Sequence, residues 1–196
     1  MSIVPHCVAS NFLSLELTDW LEKHINSHLQ VRTAFQWQKP PVEWSFLNTE
    51  ASVSRSGLGS IGGVIRAHEG NWLAGFHKTV GISDALHSEL WALYVCLQED
   101  RSLGLLHLKI QSDCLAVVNL FSEGDPSLSH FPLVRAIHRL RQRNWKTSIT
   151  WIPRECNMLA DAIKKLPGVS SYSITLLPSA PHALLLLSHF APGCFS

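Results

Sequence analysis

Apolar residues recur along this chain with two different periods, and the switches between those periods mark out its elements. Leu13, Leu17, Trp20, Leu21, His24 and Leu29 share one helical face, and Asp19 with Glu22 can form a capping box, so an amphipathic helix is expected over Leu13 to Leu29. Lys39-Pro40-Pro41 then reads as extended linker, because proline removes a donor and restricts the residue before it, and a boundary falls near Val42. Three strand-like runs follow, Glu43 to Ala51, Ser60 to His68 and Asn71 to Val80, the last two joined by a tight turn at Glu69-Gly70-Asn71. The period then lengthens: Ser83-Asp84 opens a helix whose stripe is Leu86, Leu90, Leu93, Tyr94 and Leu97. Leu105 to Gln111 is a short apolar strand, and a helix through Val117, Val118 and Phe121 follows it, stopped at Gly124-Asp125-Pro126. Pro132 to Asn144 predicts a helix with Leu133, Ile137 and Leu140 on one side and Arg135, Arg139 and Arg143 on the other. Thr147 to Ile152 is strand-like, and Asn157 starts a last helix carrying Leu159, Ala162, Ile163 and Leu166 before Pro167-Gly168 end it. The order βββαβααβα implies an α/β domain over 42–167, a mixed sheet with helices on both faces, flanked by a helix and linker at 1–41 and a Leu/Pro-rich tail at 168–196.

Composition narrows the class without naming a function. Of 196 residues, 46% are hydrophobic and 16% charged, which is a globular balance. A net charge of +1 provides no global attraction to phosphate, so any nucleic-acid contact must rest on a local patch or on bound metal. Five cysteines at wide spacings, with no CxxC pair, read as reduced thiols. Met1 to Ser10 resemble no secretory leader, and no apolar run approaches the roughly 18 residues of a membrane span. A soluble intracellular protein, nuclear or cytoplasmic, is expected, with a monomer as the default state. Leu184 to Leu187, bounded by Pro181 and Ser188, read as a docking segment.

Four acids fall at the ends of predicted strands and the starts of predicted helices: Glu50, Glu89, Asp113 and Asp161. If they converge, their mutual repulsion calls for a cation, and all-oxygen ligation suits Mg²⁺ or Mn²⁺. The reaction such a centre supports is in-line phosphodiester hydrolysis by a pair of ions ~3.5–4 Å apart. Each acid taken singly is also an ordinary capping or solvated group, and 15 acidic residues offer many quartets.

The context around the acids carries more. Leu47-Asn48-Thr49-Glu50-Ala51-Ser52, Gly62-Gly63-Val64-Ile65-Arg66, Ser88-Glu89-Leu90-Trp91-Ala92-Leu93, Gln111-Ser112-Asp113-Cys114, and Pro153-Arg154-Glu155-Cys156-Asn157 with Ala160-Asp161-Ala162 resemble, in order and interval, the blocks of plant ribonuclease H-like (reverse transcriptase-like) domains of retroelement origin. The resemblance implies a ribonuclease H-like fold, a five-stranded mixed sheet in the order 3-2-1-4-5. It implies endonucleolytic cleavage of RNA in RNA–DNA hybrids with Mg²⁺ (or Mn²⁺), held by Glu50, Glu89, Asp113 and Asp161. Two departures stand out: the family's first acid is an aspartate followed by glycine, whereas here Glu50 precedes Ala51; and a histidine common near the position of Trp151 has no counterpart between His138 and His182. Glutamate reaches one methylene further, and a displacement of ~1 Å can cost on the order of 100-fold in rate. Three readings therefore stand side by side: an active hybrid endoribonuclease, a catalytically attenuated retroelement-derived nucleic-acid-binding module, and a nuclease or transposase relative on the same fold with another substrate.

For nucleic-acid contact the candidates are Asn48 and Asn157, amides able to bond a 2′-hydroxyl, together with Arg154, Arg135 and Arg139; Arg141, Arg143, Lys146 and Trp145 complete the basic cluster. Against these, Asn157 is equally an N-cap and the arginines equally a solvated helix face. His24 and His28 have metal-sharing spacing without a third ligand, His87 reads as a helix-surface residue, Asp84 as a cap and Cys114 as a small buried filler.

Overall fold

The computed structural model describes residues 41–99, 103–166, 172–182 and 184; the helix expected over Leu13 to Leu29, with His24 and His28, lies outside them. The strands are β1 (Ser45–Val53), β2 (Leu58–Arg66), β3 (Trp72–Ile82), β4 (His107–Ser112), β5 (Lys146–Trp151) and β6 (Thr175–Leu177). The helices are α1 (Ala85–Glu99), α2 (Leu115–Ser122), α3 (Pro132–Arg141) and α4 (Met158–Lys164).

All six strands form one sheet in the order β5-β4-β1-β2-β3-β6. Its first five members are the expected order read from the other edge; the sixth is an addition. β1 lies in the middle, antiparallel to β2 and parallel to β4, and β5 continues the parallel half. A strand so placed is covered on both faces, and β1 is buried from Ser45 through Ala51.

Alternation along the strands assigns the two faces. Leu47, Ile61 and Ile65 point into the larger core with Leu90, Leu93 and Leu97 of α1, while Val64 packs with Ala162 and Ile163 of α4. Helices therefore cover both faces. Asp84 opens α1 by accepting a hydrogen bond from the His87 N–H at 2.7 Å, as its position as a cap predicts.

Glycine at 62 sets how closely α4 can approach. A Cβ there would lie 2.6 Å from the Lys164 nitrogen and 2.9 Å from its Cα, so only a bare backbone lets α4 rest on β2. At the β2–β3 hairpin, Gly70 takes a φ of 90°, which supplies the turn.

The region after Pro167 also contributes to the sheet. β6 pairs antiparallel with β3, the Trp72 indole N–H donates to the Leu177 carbonyl at 3.1 Å, and Leu184 is buried against the α4 face. Part of the expected tail is thus an edge strand with a docked leucine behind it. Cys96, Cys114 and Cys156 are not disulfide-bonded, and no helix among the described residues is long and apolar enough to cross a membrane.

Candidate active site

The parallel register pairs Asn48 with Gln111, so continuing it by two residues brings Glu50 level with Asp113 just beyond the end of β4. From the opposite face α1 delivers Glu89, whose Oε1 accepts the Ala51 N–H at 3.1 Å. α4 brings Asn157 and Asp161 to the same rim. Strand ends and helix starts meet as the sequence suggests, and the four acids become neighbours through different partners.

Asn157 is the hub. It occupies the N-cap position of α4 without making a cap bond. Its amide nitrogen instead donates towards the Thr49 carbonyl at 2.8 Å, Asp113 Oδ1 at 2.8 Å and Glu50 Oε2 at 3.0 Å. Two protons serve three acceptors, so at least one bond is shared. Its oxygen accepts from Asn48 Nδ2 at 3.3 Å, and Asn48 Oδ1 in turn accepts from Arg66 Nη2 at 2.6 Å. Both asparagines are buried and spend these amide atoms on the protein itself.

Lys164, which the sequence reading did not single out, is the other hub. Its ammonium donates to Glu50 Oε1 at 2.5 Å and to the Ala51 carbonyl at 3.1 Å. It also lies 2.7 Å from Asp161 Oδ1, an ion pair whose angles fall outside hydrogen-bond geometry. Lys165 takes the second oxygen, Oδ2, of Asp161 at 2.6 Å. The one sequence signal is spacing: Lys164 and Lys165 stand three and four residues after Asp161, where helical side chains meet.

Burial and charge shift the acids apart. Glu50 is pushed up from 4.5 to about 7, first by burial and then by its hydrogen bond with Asp113, against the pull of Lys164. Glu89 rises to about 8 through burial and the charges of Glu50 and Asp113. For Asp161 burial also works upward, but the ammonium groups of Lys164 and Lys165 prevail and hold its carboxyl below the usual range. Lys164 itself is raised: burial opposes its charge, and Glu50 with Asp161 outweighs that.

These side chains do not fit the pair of divalent ions that the resemblance implies. Both oxygens of Glu50 and both of Asp161 are already engaged, and an ammonium stands between the two residues. Among the described residues no three His, Cys, Asp or Glu side chains are grouped to hold a metal ion. The cluster relieves its repulsion with an internal ammonium, an amide and raised proton affinity. Within it, Glu89 Oε2 is buried without a hydrogen-bond partner among the described residues.

The basic candidates stand outside this network, although Arg154 lies close enough for its charge to act on Lys165. Arg135 donates to the Ser129 carbonyl, Arg139 and Arg154 are exposed, and Arg141 lies over the Phe121 ring while bonding Thr147. Trp145 is half-buried against the core with its N–H on the Leu140 carbonyl. Trp151 is 44% exposed and donates its indole N–H to the Asp113 carbonyl at 3.1 Å, so an open aromatic face stands at the rim. His87 is exposed on α1, and burial pushes the Cys114 thiol up, as suits a packed filler.

Comparison with known proteins agrees with this fold. Residues 48–166 match the family described as reverse transcriptase-like. An Arabidopsis thaliana protein, provisionally named a ribonuclease H protein, is 32% identical over 162 residues, covering 80% of this chain and 26% of that protein; the chain spans about a quarter of its length. The N-terminal ribonuclease H domain of a Mycobacterium tuberculosis protein superposes with a TM-score of 0.56 at 19% identity, covering 62% of this chain and 90% of that one. LC11 ribonuclease H1, isolated from compost and solved in complex with an RNA/DNA hybrid, superposes with a TM-score of 0.51 at 20% identity, covering 61% and 91%.

Proposed function

This chain belongs to the reverse transcriptase-like family, with the ribonuclease H fold, and on that premise we propose that it is a ribonuclease H-type module that engages RNA–DNA hybrids with attenuated hydrolysis. The observation that carries this reading is the Lys164 ammonium lodged between Glu50 and Asp161. A rim of four unscreened carboxylates repels phosphate; one neutralised from within lets a nucleic-acid backbone approach. Glu50 compounds the effect, since its longer side chain is drawn to Lys164 and Asn157.

Contact with the hybrid falls to exposed groups. Arg154 beside α4 and Arg139 on α3 meet phosphate, and the open face of Trp151 lies against a base or ribose. Asn48 and Asn157 act behind the rim by fixing Glu50 and Asp113. A second reading, an active endoribonuclease dependent on Mg²⁺ or Mn²⁺, is favoured by the unpartnered oxygen of Glu89.

The experiment is binding of an RNA–DNA hybrid and of duplex DNA of the same sequence at one stated salt concentration, alongside hybrid cleavage in Mg²⁺ and then Mn²⁺. Tighter binding of the hybrid with slow or no cleavage is expected. Equal affinity for both duplexes sinks the binding reading, and rapid, metal-dependent cleavage establishes the second one.

A further inference from the structure

We propose that Lys164 is a resident monovalent cation standing where this fold's reaction would call for a divalent one, so that the centre holds its nucleic acid without metal and gains a divalent-cation site when the lysine is removed. This rests on the hybrid-binding reading above.

An ammonium has three N–H donors and no acceptor. Here three oxygens surround it: Glu50 Oε1 at 2.5 Å, Asp161 Oδ1 at 2.7 Å and the Ala51 carbonyl at 3.1 Å. The Lys164 side chain is 3% exposed, and that of Glu50 4%, so the charge is held away from water by its partners. Those partners come from separate elements, β1 and α4, and the ammonium ties them together. A long, flexible lysine ordinarily keeps its head in solvent. This one cannot, because its backbone is pressed onto Gly62, leaving the side chain to run inward along β1.

The position also excludes a second cation. Like charges a few ångströms apart in a low-dielectric site repel strongly, and an ion entering between Glu50 and Asp161 would meet the ammonium first. Lys165 on the other oxygen of Asp161 closes the alternative approach to that carboxylate. Removing Lys164 reverses both conditions: two buried carboxylates lose their counter-charge, and the space between them opens. Buried charge left unpaired is costly, which is the driving force for capturing a divalent ion from solution.

The test is Mn²⁺ titration of the full chain, followed by loss of the free-ion electron paramagnetic resonance signal, for the parent and for Lys164→Ala and Lys164→Met. Circular dichroism checks that each variant is folded. The parent is expected to show no saturable Mn²⁺ site, and the variants to gain one with affinity raised by at least about tenfold. A saturable site in the parent overturns the proposal, as does a folded variant with no gain. If both variants unfold, the parent titration alone decides. Hybrid binding by the parent in EDTA and in Mg²⁺ is the second arm: equal affinities support a resident cation, and binding only with Mg²⁺ overturns it. Absence of hybrid binding in either condition defeats the functional reading, while the Mn²⁺ titration still settles the role of Lys164.

Discussion

Glu89→Gln changes one largely buried carboxyl into a neutral group of the same shape, and its effect on stability should depend on pH. In the folded chain Glu89 titrates at about 8, against 4.5 for a free glutamate. Below pH 4.5 the carboxyl is protonated whether the chain is folded or not, and its full contribution to stability is present. Between pH 4.5 and 8 the unfolded chain releases the proton while the folded chain keeps it, so stability falls as pH rises. At about 1.4 kcal/mol per pH unit, that interval corresponds to a loss on the order of 3–5 kcal/mol. Glutamine keeps the acceptor for the Ala51 N–H and never ionises. It adds an NH₂ group whose burial cost is the same at every pH. Urea unfolding of parent and variant at half-unit steps from pH 4 to 9 therefore has its readout in the slope of the difference, not in its offset. The variant should gain on the parent steadily from pH 4.5 to 8 and level off above. Parallel curves would show that Glu89 ionises normally, and with it the picture of a desolvated, mutually repelling cluster would fail.

Three further outcomes follow from the same contacts. Gly62→Ala places a Cβ 2.6 Å from the Lys164 backbone nitrogen, so the domain should lose about 1–3 kcal/mol as α4 is forced off β2; an unchanged thermal melt refutes that close approach. Asn157→Ala leaves the Thr49 carbonyl, Glu50 Oε2 and Asp113 Oδ1 without their shared donor and should cost roughly 2–4 kcal/mol in urea unfolding; a loss below about 1 kcal/mol would mean that water replaces the amide. Arg139→Ala and Arg154→Ala should each weaken hybrid and duplex binding alike and reduce the slope of log affinity against log salt by roughly one; an unaltered slope removes that arginine from the interface.

The core elements were legible because period and punctuation agree. Leu90, Leu93 and Leu97 stripe α1 and are buried as the spacing predicts, and Asp84 caps the helix that its position announces. Boundaries were less legible because hairpin bonds decide them. β2 runs over Leu58–Arg66 and not Ser60 to His68, since the Ser54 N–H bonds the Leu58 carbonyl at one end and Ala67 bonds Asn71 at the other. The helix expected to reach Asn144 stops at Arg141, where the chain turns to deliver Trp145 to the core. β6 was less legible: Tyr172, Ile174 and Leu176 alternate with polar residues, but the run is short, lies in a Pro- and Ser-biased stretch, and pairs only along the edge of β3.

At the site, the acids could be located from sequence but their partners could not, and the difference is physical. A carboxylate at a strand end or helix start is placed by its element, so Glu50, Glu89, Asp113 and Asp161 reach one rim whatever their chemistry. What neutralises them depends on contacts across more than 100 residues: Lys164 to Glu50, Asn157 to Glu50, Asn48 to Asn157. Those contacts hinge on Gly62, which looks in the sequence like one of two glycines in a strand and acts in the fold as the gap into which Lys164 is set. A lysine three residues after an aspartate on a short helix reads as a surface pair worth a few tenths of a kcal/mol. Seated against a glycine and aimed along β1, the same lysine becomes the counter-charge of the whole centre. The four acids alone therefore do not distinguish a hydrolytic centre from one that only binds. The discriminating feature is the residue that reaches them from α4, and a sequence search for this arrangement must weigh the position of Lys164 together with the glycine opposite it.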